Sequence, residues 1–279
     1  MNIFDGNKIA QELRDATAKE VKTLPRPPGL SVILVGDDPA SRIYVKHKES
    51  ACVEAGFYSD KINKSANITE EELLSEVDRL NINDNIDGIL IQLPLPSHID
   101  TDKVLERISP EKDVDGFHSV NSGKLMQNKP FLRPCTSKGI MKILSTIGCD
   151  VSGMDCVVVG SSNIVGRPIA MELLNARATV TICQSITKDI AQKVKKADIV
   201  VVGVGVPGMV KKDWIKDGAV VIDVGINKLE NGKLVGDVDF ESVRDKASWV
   251  TPVPGGVGPM TIATLLENTL IAYKSRNKE

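Results

Sequence analysis

The stretch Cys156-Val157-Val158-Val159-Gly160-Ser161-Ser162-Asn163-Ile164-Val165-Gly166-Arg167-Pro168 decides the fold. A short apolar run ends at Gly160, a turn rich in Gly and Ser follows, and a helix comes next. In an open parallel sheet this is where a phosphate binds, because backbone N–H groups at the helix N-terminus face the anion. The turn departs from Gly-x-Gly-x-x-Gly: a serine takes the second glycine's place, and the last glycine comes one position later. A purely structural strand-to-helix connection fits the same residues. The next strand, at Thr179–Cys183, leads into Gln184-Ser185-Ile186-Thr187. An NAD site usually carries Asp or Glu there for the ribose hydroxyls. Neutral donors would not repel a 2′-phosphate, so NADP is expected rather than NAD.

Working outward, further strands are expected near residues 198–204 and 219–224, which completes one α/β unit. Upstream, Asp5 is placed to cap a helix carrying Ile9, Leu13 and Ala16. Residues 30–35 read as a buried strand, and Asp38-Pro39 starts a helix with a cap and a first-turn proline. A helix over 69–80 and a strand over 88–93 continue the alternation, which predicts α/β architecture with parallel sheets. Between Phe117 and Pro134 the periodicity fades, as expected of a crossing between domains. A helix over 136–147 follows it. Residues 259–274 form a closing helix with Ile262, Leu265, Leu266 and Leu270 on one stripe.

Composition narrows the class. The 279 residues suit two domains at about 150 residues each. With 35 basic and 37 acidic residues, the formal charge of −2 offers no broad basic face for nucleic acid. Hydrophobic residues at 42% exclude a disordered chain. The five cysteines, Cys52, Cys135, Cys149, Cys156 and Cys183, are scattered and odd in number. They argue against a disulfide scaffold or a zinc site and for a reducing compartment. No secretory pattern opens the chain, and no run approaches the ~18 apolar residues of a membrane span. A cytoplasmic protein without membrane or metal is expected.

Three further places carry chemistry. Ser41, Tyr44 and Lys48 share one helical face. A lysine near an aromatic ring and away from carboxylates is suited to acid–base work near neutrality. A solvated Lys48 beside a partly buried Tyr44 fits the spacing as well. Gln92 ends an apolar strand before Pro94, so its amide needs a partner: a ligand, a catalytic side chain or backbone. Asp113 and Asp115 stand in a turn-rich segment, either as turn residues or as acceptors for the N–H donors of a heterocycle. His47, His98 and His118 have no ligand spacing, and Cys135, with no base nearby in sequence, reads as packing.

Taken in order, these pieces resemble the bifunctional methylenetetrahydrofolate dehydrogenase/methenyltetrahydrofolate cyclohydrolase family. The resemblance rests on Val35-Gly36-Asp37-Asp38-Pro39-Ala40-Ser41 with Tyr44-x-x-x-Lys48, and on the run from Asp87 to Pro96. It also rests on Lys112 to Phe117, Arg133-Pro134-Cys135-Thr136, the Gly160 turn, Val221 to Asn227, and Pro252 to Thr261. These motifs cover nearly the whole chain.

The resemblance implies two α/β domains with a cleft between them, the second a Rossmann-like dinucleotide-binding domain. The folate-binding catalytic domain would take 1–116 plus 260–279, and the NADP-binding domain 117–259. It implies Lys48 as principal acid/base, Tyr44 packed on the pterin and orienting Lys48, Gln92 bonded to Lys48, and Asp115 holding the pterin. Ser41, Leu93, Gly255, Gly256 and Pro259 would complete the substrate pocket. Gly160, Ser161, Ser162, Ile164, Val165, Gly166, Arg167, Pro168, Ser185 and Ile226 would bind NADP. It also implies a homodimer formed through the nucleotide domain.

The implied chemistry oxidises 5,10-methylenetetrahydrofolate to the methenyl form, then hydrolyses it to 10-formyltetrahydrofolate. A formyl-folate ligase domain, fused onto longer relatives, is not expected. Many relatives carry Arg where Ser161 stands and His where Gln184 stands, leaving Ser185 and Arg167 as candidate phosphate partners. Two competing readings are an NADP-dependent dehydrogenase of a small hydroxy acid such as shikimate, and an inactive folate- or nucleotide-binding regulator. The first would lack the Gln92 strand and the Pro-Gly-Gly-Val-Gly-Pro loop, and joint retention of Tyr44, Lys48, Gln92 and Asp115 counts against the second.

Overall fold

A computed structural model describes residues 2–277. In chain order the first half contains β1 (Asn2–Ile3), α1 (Gly6–Val21), β2 (Gly29–Val35), α2 (Pro39–Glu54) and β3 (Tyr58–Lys64). Next come α3 (Glu70–Asn81), β4 (Gly88–Ile91), α4 (Thr101–Arg107), α5 (Ser119–Met126) and α6 (Cys135–Thr146). The second half runs β5 (Asp155–Val159), α7 (Gly166–Asn175), β6 (Thr179–Cys183), α8 (Ile190–Val194), β7 (Ile199–Val202) and β8 (Val220–Asp223). It closes with β9 (Asn227–Lys228), β10 (Leu234–Val235), α9 (Phe240–Val243), β11 (Trp249–Val250) and α10 (Val257–Asn277). Two compact units result: Gln11–Cys135 with the chain from Ile262 on, and Thr136–Thr261 with the chain up to Ala10.

The first unit is built on a parallel sheet ordered β3-β2-β4. Successive side chains of a strand point to opposite faces, and β2 is buried along its whole length. Leu30, Val32 and Leu34 therefore pack with Val45, Ala51 and Cys52 of α2 and with Leu265, Leu266 and Leu270 of α10. Ile33 and Val35 pack the other way, with Leu73, Val77 and Leu80 of α3 and Val104 and Leu105 of α4. Burial on both faces explains why β2 reads as an apolar run interrupted by the buried Ser31. A reciprocal cap starts α3: Thr69 Oγ1 accepts from Glu72 N, and Glu72 accepts from Thr69 N.

The second unit is a parallel sheet ordered β1-β11-β8-β7-β5-β6. Its core is mostly valine, with Val157, Val159, Val200, Val202, Val221 and Val250 among its members. Parallel pairing brings the carboxyl ends of β5, β7 and β8 to one edge, where open α/β sheets bind ligands. The strand β6 is the outer edge, and Thr179, Thr181 and Ile182 on it are exposed.

The expected divisions at residues 116 and 260 and the observed units differ in three places, the smallest being residues 260–261, which fall in the six-stranded unit. Residues 117–135 stay with the three-stranded unit and contain α5, and Asn268 Nδ2 on α10 bonds Arg133 O at 2.7 Å there. The first residues belong to the other unit because β1 pairs with β11, Asn2 opposite Trp249. Among the described residues no helix is long and apolar enough to cross a membrane.

Candidate active site

Within the three-stranded unit, α2 starts on Asp38, whose carboxylate accepts from Ser41 N at 2.7 Å, with Pro39 in the first turn. The start sets the phase of the helix, so Ser41, Tyr44 and Lys48 follow one another along one face. Ser41 is buried, and Tyr44 and Lys48 are partly so. Lys48 Nζ donates to Gln92 Oε1 at 3.1 Å. Gln92 lies one residue past β4, where its N–H still bonds Ile33 O. Its Nε2 donates to Leu93 O at 2.8 Å, which turns the amide oxygen toward the lysine.

Asp115 completes the group from a third segment. Burial pushes its carboxyl up, while the charge of Lys48 and a hydrogen bond from the Cys135 thiol pull it back. The expectation of a lysine away from carboxylates is thereby corrected, since Asp115 lies within electrostatic reach of it. Cys135 is more than packing: its thiol lies 3.1 Å from Val114 O and also meets Asp115. Burial alone raises the Tyr44 hydroxyl. On the same helix, Cys52 is pushed up to about 12, mainly by burial.

Asp113 is what holds this loop in place. Its buried carboxylate accepts from Gly116 N (3.1 Å), Phe117 N (3.1 Å), His118 N (2.9 Å) and Asn121 Nδ2 (2.8 Å). Asn268 Nδ2 on α10 adds a bond to Val114 O at 2.8 Å. Gly116 is required at its place, with φ +76 and a missing Cβ that would sit 2.6 Å from Pro134 N. Asp113 is thus a turn organiser and Asp115 the group left facing Lys48. Asn268 and Cys135 lie too far off in sequence for any spacing to reveal them.

In the six-stranded unit the turn after β5 leaves no room for side chains at its glycines. A Cβ on Gly166 would lie 2.2 Å from Gly160 O, and one on Gly160 (φ +124) would lie 2.4 Å from Gly203 O. The backbone is therefore bare where a dinucleotide's phosphates approach a helix N-terminus. Ser162 Oγ accepts from Val165 N at 3.2 Å, and Arg167 Nε donates to Ser161 O at 3.2 Å, so the guanidinium is tethered to the turn. Pro168 is buried in the first turn of α7, while Ser185 and Ile226 are exposed and Ile164 is 37% exposed. These residues fit a phosphate-bearing dinucleotide. Gly255, Gly256 and Pro259 belong to this unit too: Gly255 has φ +99, and Gly6 would carry a Cβ only 1.9 Å from Gly256 O. A cavity of 390 Å³ at the opposite, amino-terminal edge, lined by Cys149, Met154, Lys216 and Trp249, holds none of the candidate residues.

Comparison with known proteins agrees with both halves. Residues 4–115 match the model of the tetrahydrofolate dehydrogenase/cyclohydrolase catalytic domain, and residues 134–277 match that of its NAD(P)-binding domain. A bifunctional protein FolD of Ruthia magnifica subsp. Calyptogena magnifica is 66% identical over 99% of this chain and 100% of its own. Among solved structures, the bifunctional FolD methylenetetrahydrofolate dehydrogenase/cyclohydrolase of Campylobacter jejuni superposes with TM-score 0.97 at 48% identity, covering 99% of each chain. The Trypanosoma brucei methylenetetrahydrofolate dehydrogenase-cyclohydrolase, complexed with NADP and an inhibitor, gives TM-score 0.95 at 41% identity over 99% of this chain and 98% of that one.

Proposed function

We propose, from the premise that the chain belongs to the tetrahydrofolate dehydrogenase/cyclohydrolase family, that one active site serves both activities, with Lys48 as its proton-transfer group. The enzyme oxidises 5,10-methylenetetrahydrofolate to the methenyl form and hydrolyses that to 10-formyltetrahydrofolate. Neither the hydroxy-acid dehydrogenase nor the inactive regulator is favoured. The observation that carries the proposal is the Lys48–Gln92 bond with the Asp115 carboxylate beside it.

Each side chain has a distinct task. When bound, the nicotinamide supplies the acceptor for a hydride from the one-carbon bridge, and the protein's part in that step is alignment. Lys48 moves protons at Nζ during hydrolysis, where water adds and the ring opens. Gln92, its amide direction fixed by Leu93 O, keeps Nζ in place. Asp115 accepts from the N–H donors of the pterin, Tyr44 presents its ring to it, and Ser41 and Leu93 line the substrate.

NADP is the expected nucleotide, held at Gly160, Ser161, Ser162, Ile164, Val165, Gly166, Arg167 and Pro168, with Ile226 alongside. No carboxylate stands among residues 184–187 after β6 to repel a 2′-phosphate, and Arg167 and Ser185 would meet it. A cytoplasmic homodimer without nucleic-acid partners fits the charge and cysteine pattern. The exposed edge strand β6 and Leu174, 52% exposed, support pairing of copies through the six-stranded unit. The test is the dehydrogenase assay with NADP⁺ and NAD⁺, followed by the cyclohydrolase assay. Turnover with NAD⁺ alone would overturn the nucleotide assignment, and no turnover with either would overturn the function.

A further inference from the structure

Two buried carboxylates at the carboxyl edge of the six-stranded sheet take no part in the chemistry above. Asp223, at the end of β8, accepts from Gly225 N (3.0 Å), Asp237 N (3.0 Å) and Val238 N (2.9 Å). Asp237 in turn accepts from Val204 N (2.6 Å) and Gly205 N (2.8 Å) on one oxygen and from Asn227 Nδ2 (2.8 Å) on the other. The approach is so close that only glycine is tolerated beside either group. A Cβ on Gly236 would lie 1.8 Å from Asp223 Oδ2, and one on Gly225 would lie 2.3 Å from Asp237 Oδ1.

This clasp reaches the nucleotide turn directly. The missing Cβ of Gly160 would touch Gly203 O at 2.4 Å and Val204 Cγ1 at 3.5 Å, so the segment held by Asp237 walls the turn after β5. The other oxygen holds Asn227, next to Ile226. Val204, Val206 and Ile226 are 37%, 49% and 46% exposed around the clasp, an apolar rim at the sheet edge where a planar ring would lie.

We infer that Asp237 is a positioning residue for the dinucleotide, fixing the Val204–Gly205 backbone and the Ile226 side chain against the Gly160 turn. The inference rests on the proposed nucleotide role of this unit. A buried carboxylate holding two backbone N–H groups keeps them from closing onto other acceptors and preserves the shape of the wall. Asparagine at 237 keeps the volume but turns an N–H₂ toward a donor, so one loop must move.

The test is NADP⁺ binding by isothermal titration, with thermal unfolding of the nucleotide-free protein and cyclohydrolase turnover, which consumes no nucleotide, as companion readouts. Asp237→Asn is expected to weaken NADP⁺ binding at least tenfold while changing the KM for methenyltetrahydrofolate less than twofold. Asn227→Ala, which removes the donor to Asp237 and a longer bond to Val235 O (3.4 Å) but none of the backbone N–H bonds to Asp237, is expected to weaken NADP⁺ at least threefold and serves should Asp237→Asn not fold. Unchanged NADP⁺ affinity in a folded Asp237→Asn, or in Asn227→Ala if that is the variant available, would overturn the inference. So would an equal loss of folate affinity. Wild-type protein that bound neither NADP⁺ nor NAD⁺ would instead sink the functional reading beneath it.

Discussion

Asp87 stands at the foot of β4, fully buried, and joins three parts of the catalytic unit. Its carboxylate accepts from Arg26 Nη1 (2.7 Å) and Nη2 (2.9 Å), from Gly29 N (2.8 Å) at the start of β2, and from Arg276 Nη1 (2.8 Å) near the end of α10. The carboxylate in turn raises the Arg26 guanidinium. The perturbation is Asp87→Asn, which keeps the shape but takes the buried anion from Arg26 and leaves Arg276 only the exposed Asp84 at 3.5 Å. Breaking a buried ion pair from one side costs about 3–5 kcal/mol, mostly from the charge left uncompensated. Asparagine retains one acceptor oxygen and Arg26 is 29% exposed, so the lower half of that range is expected. Against a total stability of about 5–15 kcal/mol this is a large fraction. Urea titration followed by circular dichroism gives the value, and a cycle with Arg276→Ala should show non-additivity of about 1 kcal/mol or more. A loss under about 1 kcal/mol, or simple additivity, would refute the view that this anion ties α10 to the sheet carrying Gln92.

Two further outcomes follow from the same geometry. Gly166→Ala places a Cβ against the Gly160 carbonyl and should raise the KM for NADP⁺ by about tenfold or more through displacement of the turn. Gly123→Ala in α5, whose Cβ meets nothing within 4 Å, should leave that KM alone, and equal KM values in the two variants would contradict the close-approach argument. Burial pushes the Asp223 carboxyl up to about 6, above its ordinary 3.8. A raised carboxyl favours the fold fully below about 3.8, and that contribution is lost as pH rises through about 6. Wild type should therefore lose about 2 kcal/mol relative to Asp223→Asn between pH 4 and pH 7, measured by denaturant unfolding. A pH-independent difference would refute it.

Much of the fold was legible because its signals are local. β2 is an apolar run, α2 announces itself through Asp38-Pro39, α3 through its place in the strand–helix alternation, and the nucleotide turn through the valines before Gly160. The strand β3, Tyr-Ser-Asp-Lys-Ile-Asn-Lys, was not legible, because an edge strand with exposed and half-exposed positions carries no apolar pattern. The two residues of β1 were invisible because their partner, β11, lies at the other end of the chain. The site shows the same split. The face shared by Ser41, Tyr44 and Lys48 followed from helical spacing, but pairing Lys48 with Gln92 joins residues on separate elements and came only with the family resemblance. Asp223 and Asp237 stayed hidden because they bind mainly backbone N–H groups, which leave no side-chain signature.

The most direct measurement compares both activities in wild type and Lys48→Gln. The hydrolysis of methenyltetrahydrofolate should fall by about 10²–10⁴-fold, the usual contribution of a positioned acid or base. NADP⁺-dependent oxidation, which asks of the protein chiefly alignment, should fall much less. Equal losses in both activities, with folate affinity unchanged, would contradict Lys48 as the proton-transfer group.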